Sequence, residues 1–309
     1  MKNLYIRQDG RNSGKSNMYT KILLFKKSIK IGSKLVYSLF LFIMLTAIGG
    51  CASRHHADVK NNDTAVIDSQ ESQMKVIGII GGVSWVSSIE YYRLMNEMVG
   101  KELGGLHSAK ILMYSIEFGS FSQQERLASK GNREPLIATM VDAAQRLKDG
   151  GADFIVIASN TMNSTADIIQ EKVDIPVLHI ADATGKEINK TGIKIVALLG
   201  AKYTMEHNFY RDRLEKKYGL KVVVPTEAEQ DYINAVIFDE LCAGKLYDKS
   251  RQMYVQIIER LVKEERAQGV VLGCTEIPLL IKQNDVSVPV FDTTRIHSEA
   301  AIMHALGRE

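Results

Sequence analysis

The chain has 309 residues, of which 45% are hydrophobic and 24% charged, and this composition is typical of a globular protein with a substantial core. Its net charge of +3 combines two parts, since residues 1–50 carry nine basic and one acidic residue (9 − 1 = +8) and the rest carry 30 basic and 35 acidic residues (30 − 35 = −5). The mildly acidic body argues against a nucleic-acid-binding surface.

The first 50 residues are predicted to be an export signal. Lysines between residues 26 and 34 precede an apolar run of fourteen residues at 35–48, which is short for a membrane span but suits a signal sequence. The run ends in Gly49-Gly50-Cys51, which resembles the processing box of bacterial lipoproteins. This resemblance implies that Cys51 becomes the lipidated first residue. An uncleaved anchor helix is the alternative, and Met18 is an alternative start.

Residues 51–74 are predicted to be the lipidated cysteine and a flexible tether, because the segment is rich in Asp, Asn, Ser and His. The expected location is the cell envelope, with the chain held on the periplasmic side of a membrane by its lipid anchor. Ala52, in place of an acidic residue, favours the outer membrane over the inner one.

Strand-like and helical segments alternate from residue 75 onwards. We predict strands at 76–80, 110–116, 154–158, 177–180, 194–200, 221–224, 270–273 and 288–292. We predict helices at 87–100, 135–149, near 182, and at 205–218, 229–243, 249–268, 278–282 and 294–306. Continuous Val, Ile and Leu strands alternating with helices indicate parallel sheets covered on both faces.

The order of these elements repeats, which predicts an α/β protein with two similar lobes. Each lobe is expected to be a parallel sheet flanked by helices, with the active site in the cleft between the lobes. We assign residues 75–183, with the closing helix 293–309, to the first lobe and residues 184–292 to the second.

Two segments of the same design carry the candidate chemistry. Residues 155–161 and 270–276 each contain an apolar run, a small residue, a hydroxyl or thiol side chain and then polar groups that open a helix. Ser159 and Cys274 hold equivalent positions, 115 residues apart (274 − 159). Helix capping explains either segment alone. Because capping requires neither a thiol nor a repeat, the pair favours an enzyme with one proton-transfer group on each side of a small substrate.

Other motifs carry weaker signals. The glycines at 81–82 lack the GxGxxG spacing of dinucleotide sites and are expected to let backbone amides approach a small anion, with Ser84 beside them. Cys242 lies in a helical pattern and is predicted to be a packed core thiol. The cysteine spacing predicts neither a disulfide framework nor a metal site.

Several motifs together resemble the aspartate/glutamate racemase family over about residues 75–306. They are IGIIGGVSW, YYRLMN, GGLHSAKI, ASNTMN, PVLHIADAT, LLGAKYTME and LGCTEIPLL. The resemblance implies a racemase that needs no pyridoxal phosphate or other cofactor, acts on aspartate or glutamate, and forms a homodimer. In that family one cysteine thiolate removes the α-proton and an opposed thiol returns a proton from the other face.

Carried over to this chain, Cys274 matches one catalytic cysteine, and Ser159 stands where the other is expected. A hydroxyl is a poorer base than a thiolate. The resemblance therefore implies that the two enantiomers react at different rates, with the L-enantiomer as the preferred substrate. The expected cradle for the substrate's α-carboxylate is formed by Asn160, Thr161 and Thr275, assisted by Ser84.

The distal carboxylate of an acidic substrate needs a cation, and Lys202, after a strand end, is the candidate, although an exposed loop lysine is the alternative. Glu276 is expected to polarise Cys274 or to cap its helix. The remaining assignments have weaker support. Gln123, Gln124 and Arg126 belong to a segment that could fold over the cleft, His179 is predicted to be structural, Asn163 replaces a histidine of the family, and Trp85, Tyr91 and Tyr92 are predicted to pack in the core or an interface.

Two further functions stay open on the sequence alone. A serine at position 159 could leave a two-lobed amino-acid-binding lipoprotein with weakened catalysis. A single-cysteine isomerase or decarboxylase of the same superfamily is the other alternative. Retention of Cys274 favours an enzyme, because a binding protein has no need of a thiol there.

Overall fold

The computed structural model of the protein describes residues 74–308. The predicted export signal, the lipidated Cys51 and the tether up to residue 73 lie outside the described residues. Over residues 74–308, none of the helices combines the length and the apolar character needed to cross a membrane.

Strands and helices alternate through the described range. The strands are β1 (Ile77–Gly81), β2 (Ile111–Ser115), β3 (Phe154–Ile157), β4 (Val177–Leu178), β5 (Ile195–Gly200), β6 (Lys221–Val223), β7 (Gly269–Gly273) and β8 (Val290–Asp292). The helices are α1 (Trp85–Leu103), α2 (Phe118–Ser129), α3 (Glu134–Asp149), α4 (Ala166–Val173), α5 (Ile180–Thr191), α6 (Lys202–Glu206), α7 (Asn208–Tyr218), α8 (Glu227–Asp239), α9 (Asp248–Glu265), α10 (Ile277–Leu280) and α11 (Thr293–Ala305). Short 3₁₀ helices cover Thr161–Thr165, Leu241–Ala243 and Gln283–Asp285.

The strands form two parallel four-stranded sheets of the same topology. Their orders are β2-β1-β3-β4 and β6-β5-β7-β8. In each sheet the strand that comes first in the chain lies between the second and the third. Later strands are therefore added on both sides of the first one. The predicted α/β fold with two similar parallel lobes is confirmed.

Helices cover both faces of the first sheet, which explains why its central strands are continuous apolar runs. Alternate residues of β3 face opposite sides: Ile155 packs in one core cluster with Met140 of α3, and Val156 packs in another with Met95 of α1 and Ala301 of α11. These five side chains are completely buried. Burying an aliphatic side chain of this size contributes about 1.5–3 kcal/mol.

Two helices connect the sheets. Helix α5 follows β4, ends at Gly192 in the left-handed conformation and leads into β5, so the predicted lobe boundary at 183/184 falls inside a continuous helix. Helix α11 follows β8 of the second sheet and packs against α1 of the first, where Ile302 joins the cluster of Tyr91.

Some elements differ from the predicted ones. The single helix expected at 205–218 is two helices, because His207 has an extended backbone (φ −85°, ψ 144°) that separates α6 from α7. Helix α2 was not predicted as a helix, since its apolar residues are few; Glu117 caps it by accepting hydrogen bonds from the amides of Gly119 and Ser120 at 2.7 and 2.8 Å.

Candidate active site

The candidate residues lie at the carboxyl ends of parallel strands. Cys274 directly follows β7, and Ser159 comes two residues after β3. Ser84 follows β1, the strand at which the order of the first sheet reverses direction. In open α/β sheets, ligands bind in the crevice outside the strand ends at such a switch point.

These strand ends line a pocket that is partly open to solvent and contains about 380 Å³ of empty space, which we call the inner cavity. Of the eight predicted catalytic and substrate-binding residues, all except Lys202 line it. Its lining consists of Val83, Ser84, Phe118, Glu125, Ser159, Asn160, Thr161, Ala201, Ile237, Phe238, Cys242, Gly273, Cys274, Thr275 and Glu276. The structure therefore brings the two repeated segments of the sequence to one small space.

The carboxylate of Glu276 is the centre of a buried hydrogen-bond network. Its Oε2 accepts hydrogen bonds from the thiol of Cys274 at 3.1 Å and from the hydroxyl of Thr275 at 2.8 Å, and its Oε1 accepts one from the hydroxyl of Ser84 at 2.7 Å. Glu276 is only 3% exposed. The carboxylate thus links the segment after β1 of the first sheet to the segment after β7 of the second. It is also an acceptor to which the proton of Cys274 can be transferred.

Burial and charge determine the resting protonation of Cys274. Burial raises the pKa of the Cys274 thiol well above its usual value, and the negative charge of Glu276 and the neighbouring Cys242 raise it further. Cys274 is therefore a thiol in the free protein at neutral pH. For it to accept a proton from carbon, its own proton must first leave, and Glu276 is the acceptor in contact.

Asn160 offers an unused hydrogen-bond acceptor at the inner cavity. The hydroxyl of Thr293 donates to the carbonyl of Leu272 at 2.7 Å, so Asn160 must present Nδ2 as the donor in its 3.0 Å contact with that hydroxyl. This assignment leaves the Oδ1 atom of Asn160 buried without a partner among the described residues. A buried acceptor of this kind is costly unless a ligand satisfies it.

The backbone of Ser159 accepts strong hydrogen bonds, whereas its hydroxyl has one weak hydrogen bond among the described residues. The amide Nδ2 of Asn163 donates to the carbonyls of Ser159 at 2.7 Å and Ile157 at 3.2 Å, and Oδ1 of Asn163 accepts from the backbone amide of Ile180 at 3.0 Å. The Ser159 hydroxyl accepts a hydrogen bond from the Met162 amide at 3.4 Å. Asn163 is thus a structural residue, fully engaged with the backbone.

Lys202 does not line the inner cavity. Its ammonium forms an ion pair with Asp231, Nζ to Oδ1 2.5 Å, and lies 3.6 Å from Glu206. The ammonium is directed to the surface, although its neighbour Ala201 does line the cavity. Binding of a distal carboxylate by Lys202 stays a prediction that would require this ion pair to open.

His179 is a buried structural residue, as the sequence predicted. Its Nδ1 accepts the backbone amide of Ala181 at 3.1 Å and caps α5. Burial, with a contribution from the charge of Arg213, lowers its pKa to about 3. The Gly81-Gly82 turn has a packing role: a Cβ on Gly82 (φ +89°) would lie 2.1 Å from the carbonyl oxygen of Ile116.

Sequence reasoning missed two titratable residues of the lining, Cys242 and Glu125. Cys242 packs against the core of the second sheet, as predicted, but it also lines the inner cavity, which its helical pattern did not indicate. Glu125 was passed over, while Gln123, Gln124 and Arg126 of the same helix were considered. Burial raises the pKa of Glu125 to about 7. The one available signal was an acidic side chain on a segment expected to cover the cleft.

Comparison with known proteins agrees with this geometry. The profile of the family described as Asp/Glu/hydantoin racemase matches residues 80–301. The chain belongs to this family. Its racemase fold and its assignment to the racemase enzymes are thereby confirmed.

Solved structures of the family cover the folded body. The crystal structure of a protein from Yersinia pestis assigned to the Asp/Glu racemases is 45% identical, covers 75% of this chain and 100% of its own, and has a TM-score of 0.68. An aspartate racemase homologue from Pyrococcus horikoshii is 40% identical, covers 75% of this chain and 99% of its own, and has a TM-score of 0.65.

The curated relatives are more distant. A broad specificity amino-acid racemase from Bacillus subtilis is 24% identical over 166 residues, which cover 53% of this chain and 69% of that protein. The family match at residues 80–301 covers both Ser159 and Cys274.

Proposed function

We propose that this member of the Asp/Glu/hydantoin racemase family is a cofactor-independent amino-acid racemase in which Cys274 and Ser159 transfer the α-proton. One observation carries the proposal: a thiol at the end of the second sheet and a hydroxyl at the end of the first line the same inner cavity. Racemisation by two acid–base groups requires such an arrangement, since one group removes the proton and the other replaces it from the opposite face.

The first step depends on Glu276. The thiol of Cys274 passes its proton to Oε2 of Glu276, 3.1 Å away, and the thiolate then takes the proton from Cα of the L-amino acid. The electron pair of the broken C–H bond delocalises into the substrate's α-carboxylate. Preorganised donors around that carboxylate stabilise the charge. The candidates on the lining are the backbone amides of Asn160, Thr161 and Thr275, since the hydroxyls of Ser84 and Thr275 already donate to Glu276.

The second step returns a proton to the opposite face. The Ser159 hydroxyl donates its proton to Cα, and the resulting alkoxide regains one from solvent water before the next turnover. Glu276 releases to solvent the proton that it took from Cys274, which balances the proton that Ser159 draws from water. Cys274 keeps the proton from Cα, so the site returns to its resting thiol, carboxylate and hydroxyl. The unused Oδ1 of Asn160 is the acceptor that we assign to the substrate's α-ammonium group.

The same asymmetry supports a preference for the L-enantiomer. Reaction from the D-enantiomer would need Ser159 to act as the base, and within residues 74–308 the one hydrogen bond of its hydroxyl is the weak one with the Met162 amide. A serine hydroxyl without an adjacent strong base removes a proton from carbon much more slowly than a thiolate does.

The proposal can be tested by incubating the purified chain in D₂O with single enantiomers of several amino acids. Loss of the α-proton would be followed by NMR and inversion by chiral chromatography. Exchange with inversion is the expected result. Exchange without inversion would show that Cys274 works alone, as in a single-base isomerase, and an absence of exchange with tight binding would favour the binding lipoprotein.

We further propose that the chain is attached to the periplasmic face of a membrane through a lipid on Cys51. The sequence of residues 49–51 supports this proposal. Growth with a labelled fatty acid should mark the wild-type chain and leave the Cys51→Ser variant unmarked. Label on both chains, or on neither, would contradict it.

A homodimer is also part of the proposal. Trp85, Ile89 and Tyr92 project from one side of α1 at helical spacing and are each more than half exposed, at 59, 57 and 55%. Exposed apolar side chains in such a row are typical of a protein–protein interface. Sedimentation should give a dimer for the wild type and a monomer for Ile89→Glu, and a wild-type monomer would contradict the proposal.

A further inference from the structure

The charged residues of the inner cavity carry information about the substrate's distal group. Two carboxyl groups, those of Glu125 and Glu276, line the cavity. Among the described residues of the lining there is no lysine, arginine or histidine. Both oxygens of Glu276 already accept hydrogen bonds, from Ser84 on one side and from Cys274 and Thr275 on the other.

Glu125 differs from Glu276 in its contacts and in its position. Over residues 74–308 its carboxyl group has neither an ion pair nor a hydrogen bond, and burial alone acts on its ionisation. A second space of about 530 Å³, the outer cavity, adjoins the inner one and shares with it Glu125, Thr161, Ala201 and Phe238. Glu125 therefore stands at the junction between the reacting groups and the space that a longer side chain would enter.

The surroundings of Glu125 are unfavourable to a lone negative charge. Phe118, Ile237 and Phe238 line the inner cavity together with it. Burial alone raises the pKa of Glu125 to about 7. A cationic ligand stabilises a partly buried carboxylate that has no partner, because the attraction between the two charges offsets the cost of removing the carboxylate from water.

The cationic side chains near Glu125 are either paired with other residues or line the outer cavity only. Lys202 forms its ion pair with Asp231. Arg133 lines the outer cavity only, and its guanidinium donates to the carbonyl and hydroxyl oxygens of Ser164, each at 3.4 Å. A short distal carboxylate, such as that of aspartate, would face Glu125 with no opposing charge from the inner lining.

We infer that the preferred substrates are amino acids whose side chain ends in a cation, such as lysine or ornithine, and that Glu125 is the residue that selects them. This inference rests on the proposed racemase function. The substrate's ammonium group pairs with the Glu125 carboxylate at the junction of the two cavities, while Cα lies between Cys274 and Ser159. Asp and Glu, the substrates implied by the family's name, are then the weaker ones.

The test compares L-lysine with L-norleucine, which lacks only the terminal ammonium group, and with L-glutamate. For the full chain we expect kcat/KM for lysine to exceed that for norleucine at least tenfold. Glu125→Gln keeps the shape and removes the charge, so it should lower kcat/KM for lysine about tenfold and leave norleucine within about twofold. Glu171→Gln, an exposed change on α4, is the matched control and should alter neither rate.

Equal rates for lysine and norleucine, or a Glu125→Gln variant with unchanged preference, would overturn the inference while leaving the racemase proposal intact. So would a preference for glutamate that disappears in Arg133→Gln, since Arg133 would then be the distal group's partner. If no amino acid exchanges its α-proton, the racemase proposal fails by itself. Calorimetric binding of lysine and norleucine to wild type and Glu125→Gln would still decide the role of Glu125.

Discussion

The thiol of Cys274 and the carboxylate of Glu276 are hydrogen-bonded, with Sγ 3.1 Å from Oε2, although the residues are separated by only one position in the chain. The contact arises because β7 ends at Gly273 and the chain turns at once towards α10. Glu276 therefore has two opposing effects on Cys274: its negative charge raises the pKa of the thiol, and its oxygen can accept the thiol proton.

Replacing Glu276 by Gln separates these two effects. The variant should exchange the substrate's α-proton about 10²-fold more slowly or worse, because the acceptor of the thiol proton is lost. Its thiol should nevertheless ionise at lower pH than in the wild type, because a negative charge beside it has been removed. The pH dependence of Cys274 alkylation, measured in a Cys242→Ala background, reports the second effect.

Thr275→Ser is the control for this experiment, since it retains the hydroxyl that donates to Glu276 at 2.8 Å. It should keep most of the exchange activity. If Glu276→Gln were as active as the wild type, Glu276 would have only the structural role of joining Ser84 to the second sheet.

Replacing Ser159 by Cys should make the two proton-transfer groups of the site more alike in their ability to act as a base. A thiol at position 159 can form a thiolate more readily than a hydroxyl can form an alkoxide. We expect the α-proton exchange of the D-enantiomer to rise tenfold or more relative to that of the L-enantiomer. The ratio of the two rates, measured in D₂O, is the readout.

The matched control is Ser164→Cys, which adds a thiol to the outer cavity on the same segment of chain. That variant should leave the ratio unchanged. An unchanged ratio in Ser159→Cys would remove Ser159 from the second base position.

Two helical glycines provide a stability test with opposite expected signs. A Cβ on Gly185 of α5 would lie 2.4 Å from Cδ2 of Tyr218, whereas a Cβ on Gly100 of α1 would have its nearest neighbour, the carbonyl oxygen of His107, at 3.8 Å. Gly185→Ala should therefore lower the free energy of unfolding by about 1–3 kcal/mol through overpacking. Gly100→Ala should raise it by about 0.5–1 kcal/mol, since alanine favours helix. Urea unfolding at pH 7 measures both, and stabilisation by Gly185→Ala would contradict the packing of Tyr218.

Much of the fold follows from the sequence, because buried parallel strands leave an uninterrupted apolar signal. Strands β1, β3 and β7 are completely buried, and each was expected within one residue of its observed bounds. Helix α2 was missed for the opposite reason. One of its twelve residues, Phe121, is buried, so its pattern hardly differs from that of an exposed loop.

The candidate site was predictable where it depends on position in the chain and unpredictable where it depends on side-chain direction. Ser159 and Cys274 line the same cavity because strand order alone brings β3 and β7 ends to the crevice edge of their sheets. Lys202 also follows a strand end, yet Asp231 of α8 pairs with its ammonium at the surface. Sequence spacing carries no information about such a partner 29 residues away.

Acid should destabilise the folded protein through its buried histidines. Burial lowers the pKa of His179 to about 3 and that of His297 to about 4. In the unfolded chain a histidine titrates near pH 6.5. As the pH falls below that value, these histidines bind protons in the unfolded chain but stay neutral in the folded protein. The free energy of unfolding therefore decreases until the pH reaches the pKa of the folded state. At pH 5 each such histidine costs about 2 kcal/mol relative to pH 7.

The variant His179→Asn tests the larger of these two shifts. Asn can still accept a hydrogen bond at the start of α5, so the helix cap is retained, while the group that the unfolded chain protonates is removed. The loss of unfolding free energy between pH 7 and pH 5 should then shrink by about 2 kcal/mol relative to the wild type. His207→Asn, at an exposed position, should show the full wild-type loss. An equal loss in His179→Asn and the wild type would mean that His179 is protonated in the folded protein at pH 5, and that its 3.1 Å contact with the Ala181 amide has been replaced by another.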